Sequence, residues 1–173
     1  MAVRRYPAEL EGEIALKDGV RLRVRPIRPV DAPLIVRFFQ GLSGRSRYQR
    51  FMQHLQQLPP RLLLQFTNVD YERSLALVVL DPEARELVAV GRYAPAEDGT
   101  NAEFALTVAD AWQAKGIGRV LLERLCELAR KAGYQALLGR VLDDNKSMLD
   151  LARRLGFELQ GRDGTELIVA RRL

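Results

Sequence analysis

Hydrophobic and polar positions change period twice along the chain. Over RLRVRPI (21–27) charged and apolar residues alternate, which predicts a strand with one exposed face. Pro29, Asp31 and Pro33 then open VDAPLIVRFFQGL, where apolar residues recur at helical spacing and Asp31 is a candidate cap. SGRSRYQRFM predicts a second short helix, capped by Ser43 or Ser46. PPRLLLQFTNV (59–69) predicts a third, with prolines at its start. From residue 74 the pattern shortens to β-rich runs. SLALVVLD (74–81) and ELVAVGRYA (86–94) read as a hairpin joined by DPEAR, and NAEFALTV (101–108) as a third strand after the turn AEDGTN. IGRVLLERLCELARKAG is amphipathic: Ile117, Val120, Leu121, Leu125, Leu128, Ala129 and Ala132 share a helical face, and Gly133 is the stop. YQALLGRVL is a strand. DDNKSMLDLARRLG is a helix with Asp143, Asp144 or Asn145 at its cap, and FELQGRDGTELIVARRL folds as two strands around Arg162-Asp163-Gly164. Strand, two or three helices, three strands, helix, strand, helix, two strands: this order implies one mixed sheet with helices on its faces.

Composition narrows the picture without changing it. A chain of 173 residues with 47% apolar and 28% charged residues suits one compact α/β or α+β domain. Residues 1–19, with Pro7, the polar LEGE and the turn-like KDG, are expected to be a lead-in or linker before a domain at 20–173. No apolar run approaches the roughly 20 residues of a membrane helix, and MAVRRYPAELEGE lacks a signal-peptide core. The expectation is a cytoplasmic protein without a membrane partner. One cysteine, Cys126, excludes an internal disulfide framework; one histidine, His54, argues against a histidine-rich metal site or a Ser-His-Asp triad, so no metal is expected. The net charge of +5 invites a nucleic-acid reading, but the arginines are spread among acids with no basic–aromatic cluster, so no nucleic-acid partner is expected. Genome composition explains the excess of arginine; attraction to an anionic cofactor or acidic surface is the functional alternative.

The chemistry concentrates at WQAKGIGRV (112–120), between the strand AEFALTV and the amphipathic helix. Free N–H groups at a helix start, with the helix dipole, make an anion site, and Gly116 and Gly118 open the backbone to it. A diphosphate is the obvious guest. Two common phosphate loops fail on spacing: the loop ends Gly-Arg-Val rather than Gly-Lys-Ser/Thr, and Leu121 stands where the dinucleotide fingerprint needs glycine. A plain tight turn remains the alternative.

Gln113-Ala114-Lys115-Gly116-Ile117-Gly118 resembles the Q/R-x-x-G-x-G/A signature of the GNAT acetyltransferase superfamily, and Asn145 followed by Leu155-Gly156-Phe157 resembles that family's next element. The stretches LKDGVRLRVRPIRPVDA, SRYQRF, TNVDY, AEFALTVADAWQAKGIG and VLDDNKSMLDLARRLGF are similar to the GNAT domain of bacterial protein lysine acetyltransferases that modify acyl-CoA synthetases. The resemblance implies an α/β (α+β) fold: a GNAT-type mixed, mostly antiparallel sheet of about six to seven strands flanked by helices. It implies acetyl-CoA as cosubstrate, its pyrophosphate on the amides of Ala114, Lys115, Gly116, Ile117, Gly118 and Arg119, after Gln113. It further implies a strand splayed near Leu106, Thr107 and Val108, whose free groups pair with the pantetheine arm, the Val108 N–H polarising the thioester carbonyl.

Asn145 reads either as a residue near the cofactor or as a helix cap. Strand alternation places Asn101, Glu103, Ala105 and Thr107 on one face, which alone reads as solvated; the resemblance makes Glu103 the general base. Where many GNAT enzymes carry an acid tyrosine, this chain has Ala152, so the leaving thiolate has no assigned acid. Arg45, Arg47, Arg50, Asp70 and Tyr71 are candidates for the acceptor side, with surface charge and packing as the alternative. Cys126 reads as a small core residue and His54 as structural or exposed. The expected partner is a protein acceptor, an acyl-CoA synthetase, and the lead-in resembles the tail of a synthetase-like domain in a longer chain. Acetylation of a small amine, or acyl-CoA sensing without catalysis, are the alternatives.

Overall fold

The computed structural model describes residues 4–173, so the first three residues of the expected lead-in lie outside the described residues. Eight strands form one sheet: β1 (Gly12–Ala15), β2 (Arg21–Pro26), β3 (Leu75–Leu80), β4 (Leu87–Pro95), β5 (Ala102–Val108), β6 (Ala136–Leu142), β7 (Glu158–Asp163) and β8 (Glu166–Arg172). The helices are α1 (Ala32–Gly41), α2 (Gly44–Phe51), α3 (Pro60–Thr67), α4 (Ile117–Lys131) and α5 (Lys146–Arg154). The strand order is β1-β2-β3-β4-β5-β6-β8-β7, and every pairing is antiparallel except β5 with β6. The α4 crossover makes that one parallel pair possible.

The sheet has eight strands where about six to seven were expected. The additional strand is β1, in the stretch read as a lead-in; it pairs antiparallel with β2, Ile14 opposite Leu22. Only Ile14 of its four residues turns inward, too little alternation to distinguish a strand from a polar loop. The expected order of the remaining elements holds.

Alternation along β3 supplies both faces of the core. Leu75, Leu77 and Val79 join a cluster under α4 and α5, while Ala76, Val78 and Leu80 join one under α1 and α3. On the first face α4 buries Ile117, Leu121, Leu122, Leu125, Cys126 and Ala129, so the cysteine is a core residue. A Cβ at Gly91 of β4 would lie 3.2 Å from Leu125 Cδ1 and 3.5 Å from Leu121 Cδ1, which shows how tightly α4 sits on the strand. On the second face the β2–α1 turn is held by charge. Arg25 donates to both Asp31 carboxylate oxygens (2.7 and 2.8 Å), and the Arg28 N–H donates to the same carboxylate (2.7 Å). Asp31 therefore makes no side-chain cap for α1, contrary to its sequence reading.

Candidate active site

The parallel ladder between β5 and β6 stops at the pair Phe104–Gly139. A Cβ on Gly139 would come within 2.3 Å of the Phe104 ring, so the strands can lie together there only because residue 139 is glycine. The ring packs edge-on against Phe157 on the α4–α5 face. Beyond that point β5 follows β4 alone, through Ala89–Val108. The Ala109 N–H donates to Val88 O and the Ala96 N–H to Asn101 O, both at 2.8 Å. With the β4–β5 register, these bonds turn the backbone groups of residues 103, 105 and 107 toward β4 and those of 104, 106 and 108 toward the gap. Leu106 N–H and C=O and Val108 N–H thus face the gap without a strand partner. The Val108 carbonyl accepts from Gln113 Nε2 at 3.0 Å.

The gap leads directly to the glycine junction. None of the six N–H groups from Ala114 to Arg119 donates to a protein acceptor among the described residues, and α4 has no side-chain cap. Ala114 (φ 61) and Gly116 (φ 88) both take left-handed conformations, which bend successive N–H groups into a concave nest at the start of a 15-residue helix. Lys115 and Arg119 are exposed beside it, Arg119 paired to Glu123 at 3.3 Å. The two glycines differ in purpose. At Gly116 a Cβ would meet nothing, and the positive φ is the requirement. At Gly118 a Cβ would point into the protein, 3.4 Å from Leu151 Cδ2 and 3.5 Å from Leu106 Cδ2. These are ordinary contact distances, so position 118 faces the packing of α4 on β5 rather than clearing a path for an anion.

Asp110 ties the junction to α2. Its carboxylate accepts from Ser43 N–H (3.1 Å) and Ser46 hydroxyl (3.2 Å), and Gln113 Nε2 reaches Ser46 Oγ at 3.4 Å. Burial raises the Asp110 carboxyl, but the Ser43 and Ser46 donors win and hold it below its ordinary value. No motif marked Asp110; its role depends on a helix far away in sequence. Asn145 caps α5, its Oδ1 accepting from Met148 N–H at 3.3 Å. Ala152 is buried in the α4–α5 core.

Glu103 lies on the opposite face of β5, with its side chain 44% exposed. Its Oε1 is 3.9 Å from Arg140 Nε, and Arg140 also pairs with Glu166 (2.9 Å) and Asp163 (3.4 Å). Ala105 and Thr107, next on this face, line a cavity of ≈ 40 Å³ beneath α1, α2 and α3. Of the acceptor-side candidates, Arg45 is exposed, while Arg50 turns into this cavity. Arg47 is spent on Phe39 O and Gln40 O. Asp70 accepts three backbone N–H groups of its own turn, and Tyr71 donates to Ile27 O, so both hold the fold. His54 is exposed and packs on Tyr48. No helix among the described residues is long and apolar enough to cross a membrane.

A nest of free amides continued by a splayed strand makes this the candidate site, and comparison with known proteins gives the family. Residues 43–157 match the Acetyltransferase (GNAT) family, and the chain belongs to it. Acetyltransferase PA5475 of Pseudomonas aeruginosa is 34% identical over 159 residues, which cover 89% of this chain and 85% of that protein. Acetyltransferase Pat of Mycolicibacterium smegmatis is 30% identical over 145 residues; the match covers 83% of this chain but only 43% of Pat. The crystal structure of the GNAT domain of S. lividans PAT superposes with a TM-score of 0.91 at 29% identity, covering 98% of this chain and all of that one.

Proposed function

We propose that the protein transfers the acetyl group of acetyl-CoA to the ε-amine of a lysine on a protein acceptor such as an AMP-forming acyl-CoA synthetase. The observation that carries this reading is the continuity of unpartnered backbone donors. Six amides at the head of α4 run into the Leu106 and Val108 groups along the open edge of β5. A diphosphate followed by an amide-bearing arm has the chemistry to engage both. The residues present fit such a cosubstrate: the nest supplies N–H donors and the helix dipole, and Lys115 and Arg119 add positive charge at its mouth.

The Val108 N–H is the donor for the thioester oxygen as negative charge develops there; its carbonyl, held by Gln113, cannot swing into the same space. Glu103 accepts the amine proton, directly or through one water. A lysine amine near its ordinary pKa of about 10.4 is mostly protonated at neutral pH, so a base is needed. The amine nitrogen attacks the carbonyl carbon, the C–N bond forms, the C–S bond breaks and the electron pair leaves on sulfur. A thiolate is a good enough leaving group to need no protein acid, consistent with a buried Ala152. Half-buried Asn145, at the start of α5 just after β6, offers an amide to the cosubstrate beyond its capping bond.

The likeness to Acetyltransferase Pat and to the GNAT domain of PAT supports acetyl transfer, and the stretches SRYQRF and TNVDY, similar to protein lysine acetyltransferases, support a protein acceptor. The test is intact-protein mass spectrometry of an AMP-forming acetyl-CoA synthetase incubated with acetyl-CoA and this protein, beside a Glu103→Gln variant. The expected result is one added acetyl group, formed roughly 10²–10⁴-fold more slowly by the variant. Absence of the added group, with acetyl-CoA bound, would overturn the acceptor assignment.

A further inference from the structure

The cavity beneath α1, α2 and α3 contains an arrangement that the reaction above does not use. Arg50 from α2 and Arg92 from β4 both line it, among Phe51, Phe66, Ala105 and Thr107. Arg92 donates to Phe66 O at 2.9 Å and lies 4.2 Å from the centre of that ring. Arg50 lies 4.8 Å from the Phe51 ring and 5.3 Å from the Phe66 ring. Two guanidinium groups thus share one aromatic wall. Neither forms an ion pair with a carboxylate among the described residues, although twelve such pairs occur elsewhere.

Desolvation pushes Arg50 down to about 10 and Arg92 to about 9, the latter also through repulsion from Arg50. Both remain cationic at neutral pH, and Glu103 is the acid whose field reaches Arg50. Paired cations with no carboxylate in contact, in a largely apolar pocket, are costly, and arginine's planar fork matches a carboxylate. The cavity, at ≈ 40 Å³, exceeds the 10–15 Å³ or so that one water needs, and admits a carboxylate on a short stem. It opens on the face of β5 that carries Glu103.

We propose that Arg50 and Arg92 receive a carboxylate carried by one of the two substrates. Two sources share this chemistry: the far end of a dicarboxylic acyl thioester, and the α-carboxylate of a free amino acid whose amine sits at Glu103. The first keeps a protein lysine as acceptor; the second replaces it by a small zwitterion. Both rest on acyl transfer at the β5–β6 gap.

The experiment has two arms on the full chain. In the first, calorimetry compares acetyl-CoA, butyryl-CoA and succinyl-CoA on the wild type, Arg50→Gln and Arg92→Lys. In the second, the three proteins are given acetyl-CoA and an equimolar set of the twenty L-amino acids, and products are read by mass spectrometry against the corresponding amides. A carboxylate preference of about tenfold or more in one arm, the scale of a charge-assisted hydrogen bond, supports the proposal when it falls in Arg50→Gln. Retained acetyl-CoA affinity shows that the variants are folded, and Arg92→Lys tests the planar fork with the charge preserved. Acetyl-CoA binding with no carboxylate preference in either arm overturns the proposal. Failure of acetyl-CoA to bind the wild type would instead overturn the acyl-transfer reading.

Discussion

The two faces of the sheet are built on opposite rules. Under α4 and α5 the interior is built of aliphatic and aromatic side chains with no buried charge among the described residues, and Leu121, Leu122, Leu125 and Leu137 are wholly buried. Under α1, α2 and α3 charge enters the interior, in two ways. Asp31 and Arg25 are satisfied, with side chains only 4% and 12% exposed and in bidentate contact. Arg50 and Arg92 have no carboxylate against them. The first face is optimised for stability. The second keeps unspent polar capacity where substrates would arrive, as functional sites do at the expense of stability.

The largest effect should come from breaking the satisfied pair. Arg25→Met leaves the Asp31 carboxylate buried without its cation, held by the Arg28 N–H alone, and should cost about 3–5 kcal/mol in urea denaturation. The same pair sets an acid dependence. Burial raises the Asp31 carboxyl, but Arg25 and the Arg28 N–H lower it further, to a net value below its ordinary one. A depressed carboxyl stabilises the fold above its unfolded pKa of about 3.9, and that contribution is lost as pH falls through the lower folded value. Denaturation midpoints of the wild type should therefore fall below pH ~4.

Leu121→Ala on the apolar face should cost about 2–5 kcal/mol, the usual toll of a core cavity. Arg50→Met, at a half-buried position lining the cavity on the other face, should change stability by less than about 0.5 kcal/mol or raise it. Equal losses from both substitutions would erase the distinction between the faces. Gly139→Ala, forced into the Phe104 ring, should cost about 1–3 kcal/mol and weaken acetyl-CoA binding measured by calorimetry, because it disturbs the point where the strands part. The smallest contrast lies within the junction. Gly116→Ala forces a Cβ into a left-handed residue at a cost of about 1–2 kcal/mol. Gly118→Ala, whose Cβ meets neighbours at ordinary contact distance, should cost less than about 1 kcal/mol. Thermal melts of the two variants would show the difference.

Much of this was legible in the sequence because it is written locally. Alternation in RLRVRPI and NAEFALTV, helical spacing from Ile117 to Ala132, and the glycines at 116 and 133 specify strand, helix and turn within a few residues of themselves. So does the glycine junction, since a row of uncapped amides follows from where a helix begins. Even the face of Glu103 follows from period two. Short β1 escaped because one inward residue makes no pattern.

Tertiary structure alone decided what depends on elements meeting. The close approach of β5 and β6 just before they part depends on Phe104 lying over Gly139, residues joined only through the α4 crossover. Asp31 was taken from capping duty by Arg25, and Asp110 was given to Ser43 and Ser46. Arg50 and Arg92 share one wall because α2 packs on β5, the strand beside β4. Hydrophobic period determines which way each residue faces within its element, but charge pairing and cavity shape are set by the distances between elements, which no local pattern encodes.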